Sequence, residues 1–323
     1  MRRDLIRDQK SIWFFDEGNR GANSVSRIDS IYVDMIPRTI PLHLMPIGGN
    51  STARKDFRIV LVPANNDLVR IIATALSEHG SSYSTSNIER AVCNFVHRVG
   101  TRLTHYGKAA FEIVPLRDRV TNDLVACDLF EINVRTLRFE GDVAHQQVPE
   151  EIAKERGVPT AISLDPAQLA VFSLPPKLEA ALSDTKEALA QAGISKLSAM
   201  YDASRADSTL GYDIKEHIRA EHLAVAAASR LIGWDANQSL YEIFTEYYVL
   251  HRRLVFERFV ILLRQSILST LNTIVARIGA LFDTAAQLEV YGLPTLEDVT
   301  RAERELAAGA RSFNSVIDDF SLL

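Results

Sequence analysis

The positions of this sequence that could do chemistry are a few cysteines, histidines and glycines. Cys93 and His97 are four residues apart, which places a thiol and an imidazole on one face of a helix. The stretch around them is apolar, and a buried cysteine is usually inert. We therefore interpret this pair as core packing. His97 and His105 do not have the spacing of a helical metal pair.

Two further patterns resemble binding sites less closely. His217 and His222 are five residues apart, so they do not share a helix face, and neither H-E-x-x-H nor H-x-x-E-H occurs. The segment Gly48–Thr52 could hold an anion with backbone N–H groups, although a glycine pair usually marks a plain turn. Nucleotide-binding glycine loops and the G-x-S-x-G elbow do not occur. We predict no catalytic, cofactor-binding or metal site, and no enzyme.

Composition predicts an ordinary globular protein. The chain has 323 residues, 47% of them hydrophobic and 24% charged, with a net charge of -5. This charge argues against a protein that coats nucleic-acid phosphates, but not against one that lets DNA slide past. Cys93 and Cys127 stand in apolar contexts and are typical of reduced core thiols in a cytosolic protein. The charged first residues predict no signal peptide.

One long helix is the dominant element of the pattern. Residues 235–283 contain no proline, and two capping-box spacings, at Asp235 and Ser239, offer start points. Apolar side chains recur every seven residues: Leu240, Tyr247, Leu254, Ile261, Leu268, Val275 and Phe282. We predict a helix over 236–283, about 70 Å long, that packs lengthwise against other helices. Its arginines argue against a membrane span.

The elements before this helix indicate an α+β first half. We divide the chain into an irregular N-terminal arm (1–57), an α+β domain (58–175), a helical domain (176–293) and a short C-terminal helical segment (294–323). A partly alternating pattern predicts a strand over 27–36 in the arm. The arm could lie across a neighbouring molecule, or it could be a loosely packed start to the first domain.

The best-defined local pattern is a helix that ends at a glycine and continues as a strand. A helix from Asn87 to His105 carries one apolar face, formed by Val92, Phe95, Val96, Val99 and Leu103. Gly107 follows, and a strand-like run begins at once. We expect Gly107 to have a positive φ and to cap the helix.

The stretch 106–114, with sequence YGKAAFEIV, resembles the helix-to-strand signature of tailed-bacteriophage portal proteins. In that family an amphipathic helix ends in an aromatic-Gly-x-Ala pattern, and a strand with a glutamate and an aliphatic pair follows. The matching positions here are Tyr106, Gly107 and Glu112. A second similarity joins Gly233 and Trp234 to the helix that carries the RRLVF stretch at 252–256.

The resemblance implies a portal-like fold, in which an N-terminal α+β (wing-type) domain with hairpins precedes a mostly helical half with one very long stem helix. It further implies a homo-oligomeric ring, usually of twelve subunits, at one vertex of a phage capsid. Such a head-tail connector is a structural virion protein that assembles in the host cytoplasm. Duplex DNA passes through its channel during packaging and ejection. Its partners are the major capsid protein, the terminase and a neck or tail adaptor protein, with no membrane.

The long helix supplies the candidate subunit interface, which comprises Tyr247, Leu254, Glu257, Ile261, Arg264 and Leu268. Glu257 and Arg264 interrupt the apolar seam at successive companion positions. Our hypothesis is that Glu257 of one subunit contacts Arg264 of the next, which would fix the register of the two helices. The alternative is that both side chains reach water or another part of the same chain.

Two other functions remain open from the sequence. The chain could be a helical scaffold or adaptor that dimerises through the long helix and transports no DNA. It could also be an enzyme whose site is assembled from scattered residues, since short motifs miss many enzymes. A closed ring would favour the portal interpretation, and a dimer or monomer would favour the scaffold.

Overall fold

A computed structural model describes residues 5–13, 31–46, 56–77, 87–141, 143–205, 214–235 and 244–320. The chain forms two compact units, each built from separate stretches. The first unit contains 1–19, 45–173 and 266–293, and the second contains 20–44, 174–265 and 294–323. The α+β class predicted from the sequence is confirmed, as are the sheets in the first half and the long helix in the second.

The first unit is built on three antiparallel sheets with helices. Its strands are β1 (Leu5–Arg7), β2 (Arg58–Val62), β3 (Lys108–Asp118), β4 (Leu124–Ile132), β5 (Leu137–Glu140), β6 (Val143–Gln147), β7 (Ala161–Leu164), β8 (Leu169–Ser173) and β9 (Gln287–Tyr291). One edge of β3 pairs with β4. The other edge pairs with β8 over residues 108–112 and with β1 over residues 116–118. β2 pairs with β9, and β5, β6 and β7 form the third sheet.

Helices α2 (Asn66–Leu76), α3 (Ile88–Tyr106) and α4 (Glu150–Arg156) belong to this unit. The side chain of Asn65 accepts the N–H groups of Asp67 and Leu68 and so caps α2, as asparagine commonly does at this position. The five apolar residues predicted for one face of α3 are all buried. Phe95 lies within 5.1 Å of Phe111 and 5.9 Å of Phe172 between ring centroids, so α3 packs on the β3–β8 part of the sheet.

The second unit is helical. It contains α1 (Ile31–Thr39), a short 3-10 turn (Ile40–His43), α5 (Pro176–Arg205), α6 (Ile214–Ala228), α8 (Leu296–Ala307), α9 (Phe313–Phe320) and the first part of α7 (Glu246–Leu281). Thr295 and Asp298 form a capping box at the start of α8, in which each side chain accepts the other residue's backbone N–H.

Helix α7 has 36 residues and a length of about 54 Å. Residues up to 265 belong to the second unit, and residues from 266 belong to the first. Among the described residues it is the one helix that is long and apolar enough to cross a membrane. Half of its most apolar window is nevertheless buried within the protein, and Arg252, Glu257 and Arg264 are buried too. This burial is typical of a core helix.

Two predictions about the elements need correction. The segment predicted as a strand over 27–36 is helical from Ile31, because Ile36 and Ile40 bury one helical face; residues 27–30 lie outside the described part. The long helix begins at Glu246, where the Thr245 hydroxyl accepts the N–H of Tyr248. Of the two predicted start points, Asp235 directly precedes residues 236–243, and Ser239 lies within that stretch, which is outside the described part. The consecutive domains predicted from the sequence differ from the two units of the structure, each of which combines separate stretches of the chain.

Candidate functional site

The predicted signature residues lie at the corner where α3 turns into β3. Gly107 has φ 76° and ψ -15°, in the left-handed region, and its N–H donates to the carbonyl of Leu103 at 2.8 Å. Glycine adopts this conformation without the steric cost that other residues meet. The predicted positive φ is therefore confirmed, and the next residue, Lys108, already belongs to β3.

Tyr106 lies on the surface of this corner. Its side chain is partly exposed, and the guanidinium carbon of Arg135 lies 4.9 Å from the centre of its ring. The ring of His105 packs edge-on against it at 4.2 Å between centroids. An arginine over an aromatic face gives a modest attraction at an exposed position. Tyr106 thus holds the short turn after β4 against the end of α3.

Glu112 is buried in the middle of β3 and binds the N-terminal segment. Its Oε1 accepts the backbone N–H of Lys10 at 2.9 Å, and its Oε2 accepts the backbone N–H of Ser11 at 2.8 Å. The hydroxyl of Ser11 also donates to Oε2. A buried carboxylate costs a large desolvation free energy unless donors of this kind satisfy it. Glu112 is therefore an anchor for residues 10 and 11.

Two more side chains hold the same segment. The amide of Gln146 accepts the N–H of Ile12 at 2.9 Å and donates to its carbonyl at 2.7 Å. Arg156 donates to the carbonyl of Trp13 at 3.0 Å. With β1 paired to β3, residues 5–13 of the arm are bound to the first unit, whereas residues 31–44 belong to the second unit. For residues 5–13, this arrangement fits the interpretation of the arm as the start of the first domain.

The second similarity corresponds to one contact network in the helical unit. Gly233 has φ 68°, and a Cβ built there would lie 2.3 Å from the carbonyl oxygen of Arg252 and 2.6 Å from the nitrogen of Phe256. Such distances do not occur between real atoms. Only glycine lets the backbone before α7 approach the helix this closely.

Arg252 completes this network from the helix side. Its buried guanidinium donates to the carbonyl of Ala226 at 2.6 Å, to the hydroxyl of Ser229 at 2.9 Å and to the carbonyl of Trp234. The indole N–H of Trp234 donates to the hydroxyl of Thr39 at 2.9 Å. The sequence analysis treated Arg252 only as a charge along the helix. Its position in the same similarity as Gly233 and Trp234 was the signal for a joint role.

The apolar seam of α7 packs within the chain over its first half. Leu254 and Ile261, both predicted as interface residues, are buried in one cluster with residues of α8 and α9. The other buried members of this cluster are Leu250, Val299, Ala302, Val316 and Phe320. These two positions are therefore covered by the same molecule, and the interface prediction for them is corrected.

Glu257 and Arg264 likewise have partners in their own chain. Glu257 is 2% exposed and forms an ion pair with Arg253 at 2.7 Å, one helical turn earlier. Arg264 is 3% exposed and donates to the carbonyls of Leu44, at 3.3 Å, and Pro294. The hypothesis of an intersubunit Glu257–Arg264 pair is replaced by these two separate intrachain contacts, which correspond to the alternative stated with it.

The remaining candidate interface residues, Tyr247 and Leu268, are less buried than the other four. Tyr247 is 68% exposed near the start of α7, with the ring of Phe313 6.5 Å away between centroids. Leu268 is half-buried in the part of α7 that belongs to the first unit. The structure therefore does not bring the six predicted positions together on one exposed surface.

The thiols of Cys93 and Cys127 are not activated as nucleophiles, because their pKa values are raised. Burial, with Glu89 nearby, raises the pKa of Cys93 to about 12, and burial, with Asp128 nearby, raises the pKa of Cys127 to about 12. Both thiols stay protonated at neutral pH. Burial also lowers the pKa of His97. No metal-binding group of three His, Cys, Asp or Glu side chains occurs among the described residues. The segment 48–52 and the side chain of His217 lie outside the described part.

No protein-family model matches this chain, and no curated protein matches it significantly.

Proposed function

We propose that this protein is a portal-type subunit, which forms a ring at a phage capsid vertex and lines the channel for DNA packaging and ejection. The observation that carries the proposal is the corner from α3 through Gly107 into β3. There the three signature residues have separate structural roles: Gly107 makes the turn, Tyr106 packs the surface, and Glu112 binds the N-terminal segment.

The second similarity supports the same proposal. Gly233 and Trp234 precede Arg252 by 19 and 18 residues, and all three belong to one network at the break before α7. A helix that starts after a fixed break is what the family resemblance implies for the stem. The proposed stem is α7, whose 36 residues make it the longest described helix.

The charge of the chain agrees with a channel wall. The net charge is -5, so the protein as a whole lacks the excess of cations that tight binding of duplex DNA requires. A channel must let DNA slide, and a weakly repulsive surface suits that task. In this proposal the terminase, the neck or tail adaptor and the major capsid protein bind the outside of the ring.

Ring contacts must use surfaces other than the buried seam. Leu254, Glu257, Ile261 and Arg264 are occupied inside the chain, whereas Tyr247 remains open to a neighbouring subunit. The same burial weakens the alternative of a scaffold that dimerises through this seam. A dimer would have to displace α8 and α9, which already cover Leu254 and Ile261.

Native mass spectrometry of the purified full-length protein tests the proposal. One dominant species should appear at a high integer multiple of the 36.0 kDa subunit mass. Cyclic assembly closes at a fixed number, so the distribution should be narrow and should not grow with protein concentration. A monomer or dimer at all concentrations tested would contradict the proposed function.

A further inference from the structure

A polar cavity of about 470 Å³ opens on the outward face of α3 in the first unit. Arg90, Asn94, Arg98, Thr101 and Arg102 line it from the helix, and Glu131 lines it from β4. The helix positions are three or four residues apart, so successive turns present them to the same space. The volume falls within the range of about 300–1,000 Å³ that small-molecule sites occupy.

Cations outnumber carboxylates among the residues that line this cavity. The lining includes the guanidinium groups of Arg90, Arg98 and Arg102 and the one carboxylate of Glu131, although the whole chain carries a net charge of -5. The guanidinium carbon of Arg98 lies 5.2 Å from the ring centre of Phe95 and 5.4 Å from that of Phe111. Stacking on two core aromatic rings fixes this cation in place before any ligand arrives.

The guanidinium of Arg102 forms a hydrogen bond through its Nε edge, and its other edge has no such bond within the described residues. Its Nε donates to Oε1 of Glu131 at 2.6 Å. Within the described part of the chain this is its one polar contact, so the terminal N–H groups of the fork are available to a ligand. A fork of this kind matches two oxygens of a phosphate group.

A second, smaller cavity of about 180 Å³ shares Arg102 and Glu131 with the first. Lys108 and Arg135 add two further cations to its wall, and Tyr106 lies there beneath the guanidinium of Arg135. The two cavities therefore adjoin at Arg102 and Glu131.

We propose that these adjoining cavities bind a small molecule that carries a phosphate or pyrophosphate group. Arg102 holds the anionic group through its terminal N–H groups, Arg90 and Arg98 add charge from the first cavity, and Lys108 and Arg135 add charge from the second. The site is concave, Leu76 and Ala91 line its first cavity, and the carboxylate of Glu131 lines both cavities. A confined anion fits this shape better than an extended nucleic-acid strand, which requires an open track of cations.

Glu131 gives the sharpest test. Its carboxylate competes with an anion for Arg102 and repels that anion, so Glu131→Gln should tighten binding of pyrophosphate about threefold or more. Arg102→Gln and Arg90→Gln should each weaken it about tenfold, as loss of a charge-assisted hydrogen bond does. Arg117→Gln is the matched control. It removes a guanidinium of the same unit that lies about 20 Å from the site, six residues along β3 from the partner of Glu131.

Isothermal titration calorimetry of the full chain with pyrophosphate, and with inorganic phosphate as a weaker probe, measures these changes. Thermal melting of each variant without ligand reports whether it folds. The expected order of affinity is Glu131→Gln, then parent and Arg117→Gln, then the two pocket arginine variants. Absence of binding to the parent, or equal binding by all folded variants, would overturn the proposal. Binding of a short single-stranded oligonucleotide that pyrophosphate does not displace would also overturn it.

Discussion

Gly233 shows how one missing side chain fixes the path of the backbone. It combines a positive φ with a close approach to Arg252 and Phe256. Gly309 also has a positive φ, of 66°, but a Cβ there would meet nothing within 4 Å. A comparison of substitutions at the two glycines therefore distinguishes two free-energy costs. One is the cost of a positive φ, and the other is the cost of a steric clash of the added Cβ.

We predict that Gly233→Ala lowers the free energy of unfolding by about 3 kcal/mol or more, because strain and overpacking add. Gly309→Ala should cost about 1 kcal/mol, because only the left-handed conformation is penalised. Urea denaturation of both variants measures the difference. Equal costs for the two substitutions would show that the approach of Gly233 to α7 is looser than described.

His43 makes the stability of the helical unit depend on pH. Burial, followed by the charge of Arg253, lowers the pKa of its imidazole to about 4, and its ring packs edge-on against Phe256 at 5.0 Å. In the unfolded chain the pKa is about 6.5. Between these values the unfolded state binds a proton that the native state does not bind, so stability is lost as the pH falls from about 6.5 to about 4.

For this reason we predict that the parent loses about 2 kcal/mol more than His43→Gln over that pH interval. Melting temperatures of the two proteins, measured at matched pH values, test the prediction. His97 has a lowered pKa as well but is present in both proteins, so its contribution cancels. Parallel pH curves for parent and variant would contradict the assignment to His43.

At the scale of elements, the seam of α7 stabilises one chain through α8 and α9. Ile261 is fully buried in that cluster, and Tyr247 on the same helix is 68% exposed. Ile261→Ala should lower the free energy of unfolding by about 3 kcal/mol, as large-to-small core changes do. Tyr247→Ala should change it by about 0.5 kcal/mol or less. Chemical denaturation measures both, and a mild effect of Ile261→Ala would contradict the intrachain packing.

The two charged positions of this helix should behave independently. Glu257 pairs with Arg253, and Arg264 binds the carbonyls of Leu44 and Pro294. Glu257→Arg and Arg264→Glu should each destabilise the protein by about 3 kcal/mol. The first places a buried cation beside Arg253, and the second places a buried carboxylate against the carbonyls of Leu44 and Pro294. The double exchange should not restore stability. Rescue in the double variant, measured by thermal melting, would instead indicate a direct contact between the two residues.

The sequence pattern predicted the local features of these elements. The apolar face of α3, the positive φ of Gly107 and the caps at Asn65 and Thr295 all follow from spacing and residue type. These features depend on neighbours within one or two helical turns. Their energetics therefore act over the same short range that the pattern samples.

The sequence pattern could not predict contacts between residues that are far apart in the chain. It marked Glu257 and Arg264 as unusual in an apolar seam, but the carbonyl that Arg264 binds at Leu44 is 220 residues away. In β9, the alternation of Leu288 and Val290 is too short to distinguish a strand from a loop. Only its pairing with β2, far earlier in the chain, makes it a strand.

The same limit explains why the sequence did not predict that each unit of the molecule combines separate stretches of the chain. Each unit combines three separate stretches of the chain, with gaps of 25 and 92 residues in the first unit and of 129 and 28 residues in the second, and α7 contributes residues to both. Composition and periodicity report consecutive segments, so they indicated consecutive domains. The basic cavities on α3 were missed for a related reason. Arg90, Arg98 and Arg102 look like a solvated helix face until β4 places Glu131 among them.

For the molecule as a whole, the central claim is that copies of this chain close into a ring with an open channel. Negative-stain electron microscopy of the purified full-length protein tests it most directly. End-on images should show closed rings of uniform subunit number with a central opening, and side views should show one consistent height. Images of isolated particles or two-fold dimers, with no central opening in any orientation, would contradict the account.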